Sequence, residues 1–237
     1  MGNDFDTAEL RARHLYDGLE EDPCLGQECP VPGPAGSLEA MQSYPAGYDG
    51  SAPVAVVCHP HPLYGGSMAN KVVHMLSDTF NALGAATVRF NFRGVGASQG
   101  RFDQGRGETE DVLAVVRWVR ERHPAAPLWL AGFSFGAYVA LRAQPQVQAE
   151  RVLLVAPPVN LFDFEALPPC GAPCLVIQGG RDDIVPPEAV SNWVFRHQVE
   201  RPAYRWLGDA DHFFHGRLNR LREVVQAEWA HGARPAG

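Results

Sequence analysis

The feature that most limits how this chain can fold is an alternation. Short, mainly apolar runs rich in β-branched residues are separated by longer segments whose apolar residues recur at helical spacing. Residues 53–58 (PVAVVC), 86–92, 127–132, 151–156 and 173–178 are rich in β-branched and other apolar residues and read as central strands, which need cover on both sides. The intervening segments supply that cover. Residues 70–83, 109–122, 135–142, 187–198 and 217–229 read as helices, the first with Val73, Met75, Leu76 and Phe80 on one face and Gly84 at its C-terminal cap. Residues 37–43 and 203–207 read as outer strands. The expectation is an α/β fold: a doubly wound, mostly parallel sheet flanked by helices. Ligands gather beyond the carboxyl ends of the strands in such sheets, so the loops after each strand are where chemistry is sought.

A length of 237 residues fits one such domain. The formal charge of −7 is unevenly spread, because residues 1–36 hold eight acids and two bases and so account for −6 of it. The expected division is an acidic, loosely packed leader at 1–36 and a nearly neutral domain at 37–237. A neutral body without clustered Lys and Arg argues against nucleic acid as a partner. No apolar run approaches the length of a membrane span, and the start lacks a basic n-region and an apolar h-region. Asp6 stands where a myristoylation motif needs Ser or Thr. Five cysteines, an odd number with no zinc-type spacing, read as reduced thiols, and a soluble cytoplasmic protein without a structural metal is expected.

After the apolar run at 127–132 comes Gly132-Phe133-Ser134-Phe135-Gly136, with a helical segment behind it. A serine at a strand-to-helix turn adopts a strained backbone, and its glycine neighbours let the chain turn tightly while the hydroxyl projects. Serine is a poor nucleophile alone. It needs a base, and the base needs a third group to set its tautomer. Two downstream loops supply candidates: Asp182 and Asp183 after the run at 173–178, and His212 after the strand at 203–207, with His215 one helical turn on. The segment at 94–100 misses Gly-x-Gly-x-x-Gly by one residue, so no nucleotide is expected.

The pentapeptide at Ser134, the Asp-Asp-Ile-Val-Pro segment beginning at Asp182, and Asp211-His212 resemble the nucleophile elbow, acid loop and histidine loop of the α/β-hydrolase superfamily. The segments HPHPLYGG at 59–66, FNFRGVG at 90–96 and HFFHG at 212–216 resemble a group of small bacterial hydrolases with little or no cap. The resemblance implies Ser134 as nucleophile, His212 as base and Asp182 as the acid, in the chain order of that superfamily. It also makes the 90–96 loop structural, anchored by Arg93.

Acyl transfer needs donors aimed at the developing oxyanion. The first expected donor is the backbone N–H of Phe135. The second falls in the 59–64 loop, where Pro60 and Pro62 have no N–H, which leaves His61 first and Leu63 behind it. A metal held by His59 and His61 is the rival reading, and no third ligand stands nearby in sequence. Only about sixteen residues (157–172) connect two strands where capped hydrolases insert a helical lid, so at most an apolar flap fits. Together with Leu63, Tyr64 and Phe213 this implies an accessible, hydrophobic substrate pocket. The expected activity is carboxylic ester hydrolysis through an acyl-enzyme, with no cofactor and a small-molecule ester or thioester as partner. A thioesterase or other acyl hydrolase is the alternative, and a non-catalytic binding protein on the same scaffold is the rival from another class. Oligomeric state is not encoded in any feature read here.

Overall fold

The computed structural model describes residues 28–196 and 202–230. Eight strands form one sheet: β1 (Glu28–Gly33), β2 (Gly36–Ser43), β3 (Val54–Cys58), β4 (Ala86–Phe90), β5 (Leu128–Phe133), β6 (Arg151–Val155), β7 (Cys174–Gly179) and β8 (Ala203–Leu207). Their spatial order is β1-β2-β4-β3-β5-β6-β7-β8, antiparallel for β1–β2 and β2–β4 and parallel elsewhere. Among the described residues there are five α-helices: α1 (Lys71–Ala82), α2 (Arg106–Arg122), α3 (Phe135–Val147), α4 (Pro187–Arg196) and α5 (Leu218–Ala230). The strand order reverses around β3, and β3 and β5 therefore carry their loops to the centre of one sheet edge.

Two cores cover the two faces of the central strands. On one side Val54, Val56 and Leu130 pack with Val112, Val115 and Val119 of α2 and Val139 of α3. On the other, Ala55, Val57 and Leu153 pack with Val73, Leu76 and Phe80 of α1 and Leu221 and Val225 of α5. Successive residues of each central strand thus bury on opposite faces.

Three expectations change. The boundary at Gly36 is too late, because Glu28–Gly33 is a strand paired to β2 from Glu28–Met41 to Gly33–Gly36. Its sequence, ECPVPG, hides a period of two: Cys29 and Val31 are buried while Pro30 and Pro32 are exposed. Both prolines share one phase of an edge strand, where the absent N–H faces outward and costs no ladder bond. Earlier residues lie outside the described ones. Helix α3 runs past 142 to Val147 with Pro145 inside it, since buried Ala143 and Val147 hold the last turn against the core. Cys29 is disulfide-bonded, whereas Cys58, Cys170 and Cys174 are free thiols. An odd cysteine count excludes complete pairing, not a single pair. The expected helix at 187–198 is present over Pro187–Arg196, and residues 197 and 198 lie outside the described ones.

No helix among the described residues is long and apolar enough to cross a membrane. The link from β6 to β7 contains no helix, so nothing there forms a lid. Its Phe164 is 2% exposed and packs edge-on to Trp193, and Asn160 donates to the Ile184 carbonyl at 3.1 Å. The flap is thereby pinned to the body at two points.

Candidate active site

Strand β5 ends at Phe133, α3 begins at Phe135, and Ser134 alone makes the turn between them. Its backbone stands at φ 54° and ψ −122°, a left-handed conformation that costs a side-chain-bearing residue of order 1–3 kcal/mol. Glycine is required on both sides for a steric reason. A Cβ at Gly132 would overlap the Gly136 carbonyl, and one at Gly136 would overlap the carbonyls of Cys58 and His59. The helix therefore packs directly onto the end of β3, which sets the serine beside the loop that follows that strand.

Ser134 Oγ lies 3.0 Å from His212 Nε2, and His212 Nδ1 lies 2.8 Å from Asp182 Oδ2. Both partners are buried, His212 against the rings of Phe133 and Phe213. The Asp182 carboxylate accepts at every side: Ile184 N–H and Val185 N–H donate to Oδ1 at 3.0 and 2.7 Å, and Gln178 Nε2 donates to Oδ2 at 2.9 Å. A carboxylate with this many donors is held in one orientation. The rivals fall elsewhere. Asp183 is exposed, and His215 is exposed and paired with Asp211 at 2.8 Å. Gln178 escaped sequence reasoning. Its signal is a polar residue closing the apolar run of β7 directly before the acid loop, since a buried amide there demands partners.

The backbone N–H groups of His61 and Phe135 make no hydrogen bond among the described residues. Both residues border a cavity of ≈ 370 Å³ that opens over Ser134 and His212. Its walls are apolar and aromatic: Tyr64, Phe135, Leu161, Phe162, Ile184 and Phe213, with no Asp, Glu, Lys or Arg among the lining residues. Leu63 is not among them and is 68% exposed. It shares a single 3-10 turn (Pro62–Tyr64) with Tyr64, and successive side chains there diverge by a third of a turn, so only one of the two faces the cavity.

His59 is fully buried behind this wall. Phe92 N–H donates to its Nε2 at 3.0 Å, and its Nδ1 lies 2.6 Å from the Pro60 carbonyl. With both ring nitrogens engaged by the backbone, neither is left for a metal. Burial pushes its pKa from 6.5 down to about 4, and burial lowers that of His61 also. A histidine depressed in the folded state is protonated first in the unfolded chain, so its contribution to stability is present above pH 6.5 and lost as pH falls toward about 4. The stability advantage of wild type over His59→Asn is expected to shrink on the order of 3 kcal/mol across that window. Urea titrations of both proteins at pH 7 and pH 4.5 measure it.

A lidless, doubly wound sheet with a serine, a histidine and a carboxylate in hydrogen-bond series at its carboxyl edge defines a hydrolase. The chain belongs to the α/β-hydrolase family: residues 56–234 match the model of an alpha/beta hydrolase domain. An uncharacterised protein of Rickettsia prowazekii is 37% identical over 202 residues, covering 81% of this chain and 84% of the relative. An α/β serine hydrolase without lid from Xanthomonas campestris is 41% identical with a TM-score of 0.84, covering 91% of this chain and 98% of that one. An α/β serine hydrolase homologue from Coxiella burnetii is 44% identical with a TM-score of 0.81, covering 86% and 97%.

Proposed function

We propose that the protein is a serine carboxylesterase for uncharged acyl esters of small to medium size. The observation that carries this reading is the series Ser134 Oγ, His212 Nε2 and Nδ1, and Asp182 Oδ2 at 3.0 and 2.8 Å, opening into an apolar cavity. Ser134 attacks the ester carbonyl carbon while His212 takes its proton. Asp182 stabilises the imidazolium, and the amides of His61 and Phe135 hold the oxyanion. Collapse of the tetrahedral adduct expels the alcohol, protonated by His212, and leaves acyl-Ser134. A water deprotonated by His212 then releases the acid and restores the serine.

The cavity walls support the choice of substrate. A charged acyl group would enter without an opposite charge to meet it, a cost borne in the transition state. p-Nitrophenyl acetate and butyrate are therefore expected to be hydrolysed at least about tenfold more efficiently in kcat/KM than p-nitrophenyl hemisuccinate. Equal rates would remove the basis for an uncharged substrate. A thioester turned over faster than its matched oxygen ester would move the assignment to a thioesterase.

A further inference from the structure

We propose that His59 is a positioning residue of the oxyanion site, fixing the peptide unit between Pro60 and His61 so that the His61 N–H faces the reacting carbonyl. The proposal rests on the esterase reading above and adds to it a residue that does not touch substrate.

The geometry begins from the loop after β4. Phe92 N–H donates to His59 Nε2 at 3.0 Å, which makes that nitrogen an acceptor and puts the ring proton on Nδ1. Nδ1–H then donates to the Pro60 carbonyl at 2.6 Å, a short bond inside a fully buried shell packed against the Phe92 ring at 4.6 Å. The Pro60 carbonyl and the His61 N–H are two ends of one peptide plane. No peptide bond among the described residues is cis, so the two groups point in opposite directions. A carbonyl turned inward to His59 therefore turns the His61 N–H outward, on the side where His61 borders the cavity. That N–H has no other acceptor among the described residues, as a donor reserved for a transition state requires. The His61 carbonyl is separately held by the N–H groups of Tyr64 and Gly66 at 3.1 and 3.0 Å, so the loop is fixed on both sides of the donor.

The imidazole also stays neutral. Its pKa, lowered to about 4 by burial, keeps the same tautomer across the working pH range, so the donor does not switch with pH.

Asparagine and glutamine separate positioning from packing. Asn carries an N–H donor at the place of Nδ1, and Gln carries its amide at the place of Nε2. His59→Gln and His59→Phe are expected to lower kcat for p-nitrophenyl butyrate about 10- to 100-fold with KM within about twofold. Their pH–rate profiles should keep the wild-type shape from pH 5 to 9. Phenylboronic acid, which forms a tetrahedral adduct on a serine, should lose affinity in proportion to kcat. His59→Asn should restore most of kcat even though it melts below wild type. Loss of kcat in His59→Asn as large as in His59→Phe, or losses that follow melting temperature rather than the donor, would overturn the proposal. So would unchanged kcat in His59→Gln. Failure of the esterase reading would look different: turnover by wild type that survives Ser134→Ala.

Discussion

Replacing Ser134 with alanine is expected to lower kcat for p-nitrophenyl butyrate on the order of 10⁵- to 10⁶-fold, with the melting temperature nearly unchanged. The size follows from losing the nucleophile of a group that acts as a unit: His212 has no proton to take, and the amides of His61 and Phe135 have no covalent oxyanion to hold. His212→Ala should fall as far, because Ser134 Oγ then loses its acceptor at 3.0 Å. Asp182→Asn should cost about 10⁴. Here the structure adds a reason. Ile184 and Val185 N–H donate to one carboxylate oxygen, and Gln178 and His212 address the other, so an amide NH₂ faces other donors in either orientation. The variant must therefore reverse the His212 tautomer or break the acid loop, and both remove the base. Steady-state rates with circular dichroism melts on the three variants measure these effects.

The second large effect concerns stability. Arg93 sits on the loop after β4, and its N–H, Nε and Nη2 all donate to the Asp111 carboxylate of α2 at 2.8 to 3.1 Å. Asp111 is fully buried. Asp111→Ala strands a guanidinium and a backbone N–H in the interior, and a broken buried pair of this kind costs about 3–5 kcal/mol. For a chain of this size the melting temperature should fall by about 6–20 °C. Glu110 provides the control. It meets the same Arg93 at 3.4 Å but is 64% exposed, so Glu110→Ala should cost less than about 1 kcal/mol. A double Arg93→Met, Asp111→Leu variant is expected to recover part of the loss, since it leaves no unpaired charge. Differential scanning calorimetry distinguishes the three. Phe92, whose N–H fixes His59, is the residue before Arg93, so esterase activity should also fall in Asp111→Ala.

The central strands and the order serine, acid, histidine were legible because each follows from local pattern: a short, mainly apolar run, or a motif at the carboxyl end of such a run. β1 was not legible. Its two prolines signal a loop in any local reading, and only the edge position beside β2 makes them compatible with pairing. The choice of Asp182 over Asp183 rested on resemblance to a family, whereas in three dimensions it rests on burial and on four donors to one carboxylate. Leu63 was expected in the pocket with Tyr64 as an apolar residue of the same loop, yet neighbouring side chains on a 3-10 turn diverge. Gln178 and His59 were passed over for a common reason. Gln178 acts through the Asp182 carboxylate and His59 through the Phe92 N–H and its neighbour's carbonyl; the place of Gln178 at the end of an apolar run marks it as buried and polar, but spacing does not show what either residue holds. His59 in particular was weighed as a ligand with His61, when its two nitrogens serve Phe92 and Pro60.

The central claim is that Ser134 is the nucleophile, and covalent trapping tests it most directly. The protein is treated with a fluorophosphonate, digested, and mapped by mass spectrometry. A single adduct on Ser134 in wild type, none in Ser134→Ala, and slow labelling in His212→Ala are the expected result. An adduct on any other residue, or equal labelling of wild type and Ser134→Ala, would contradict it.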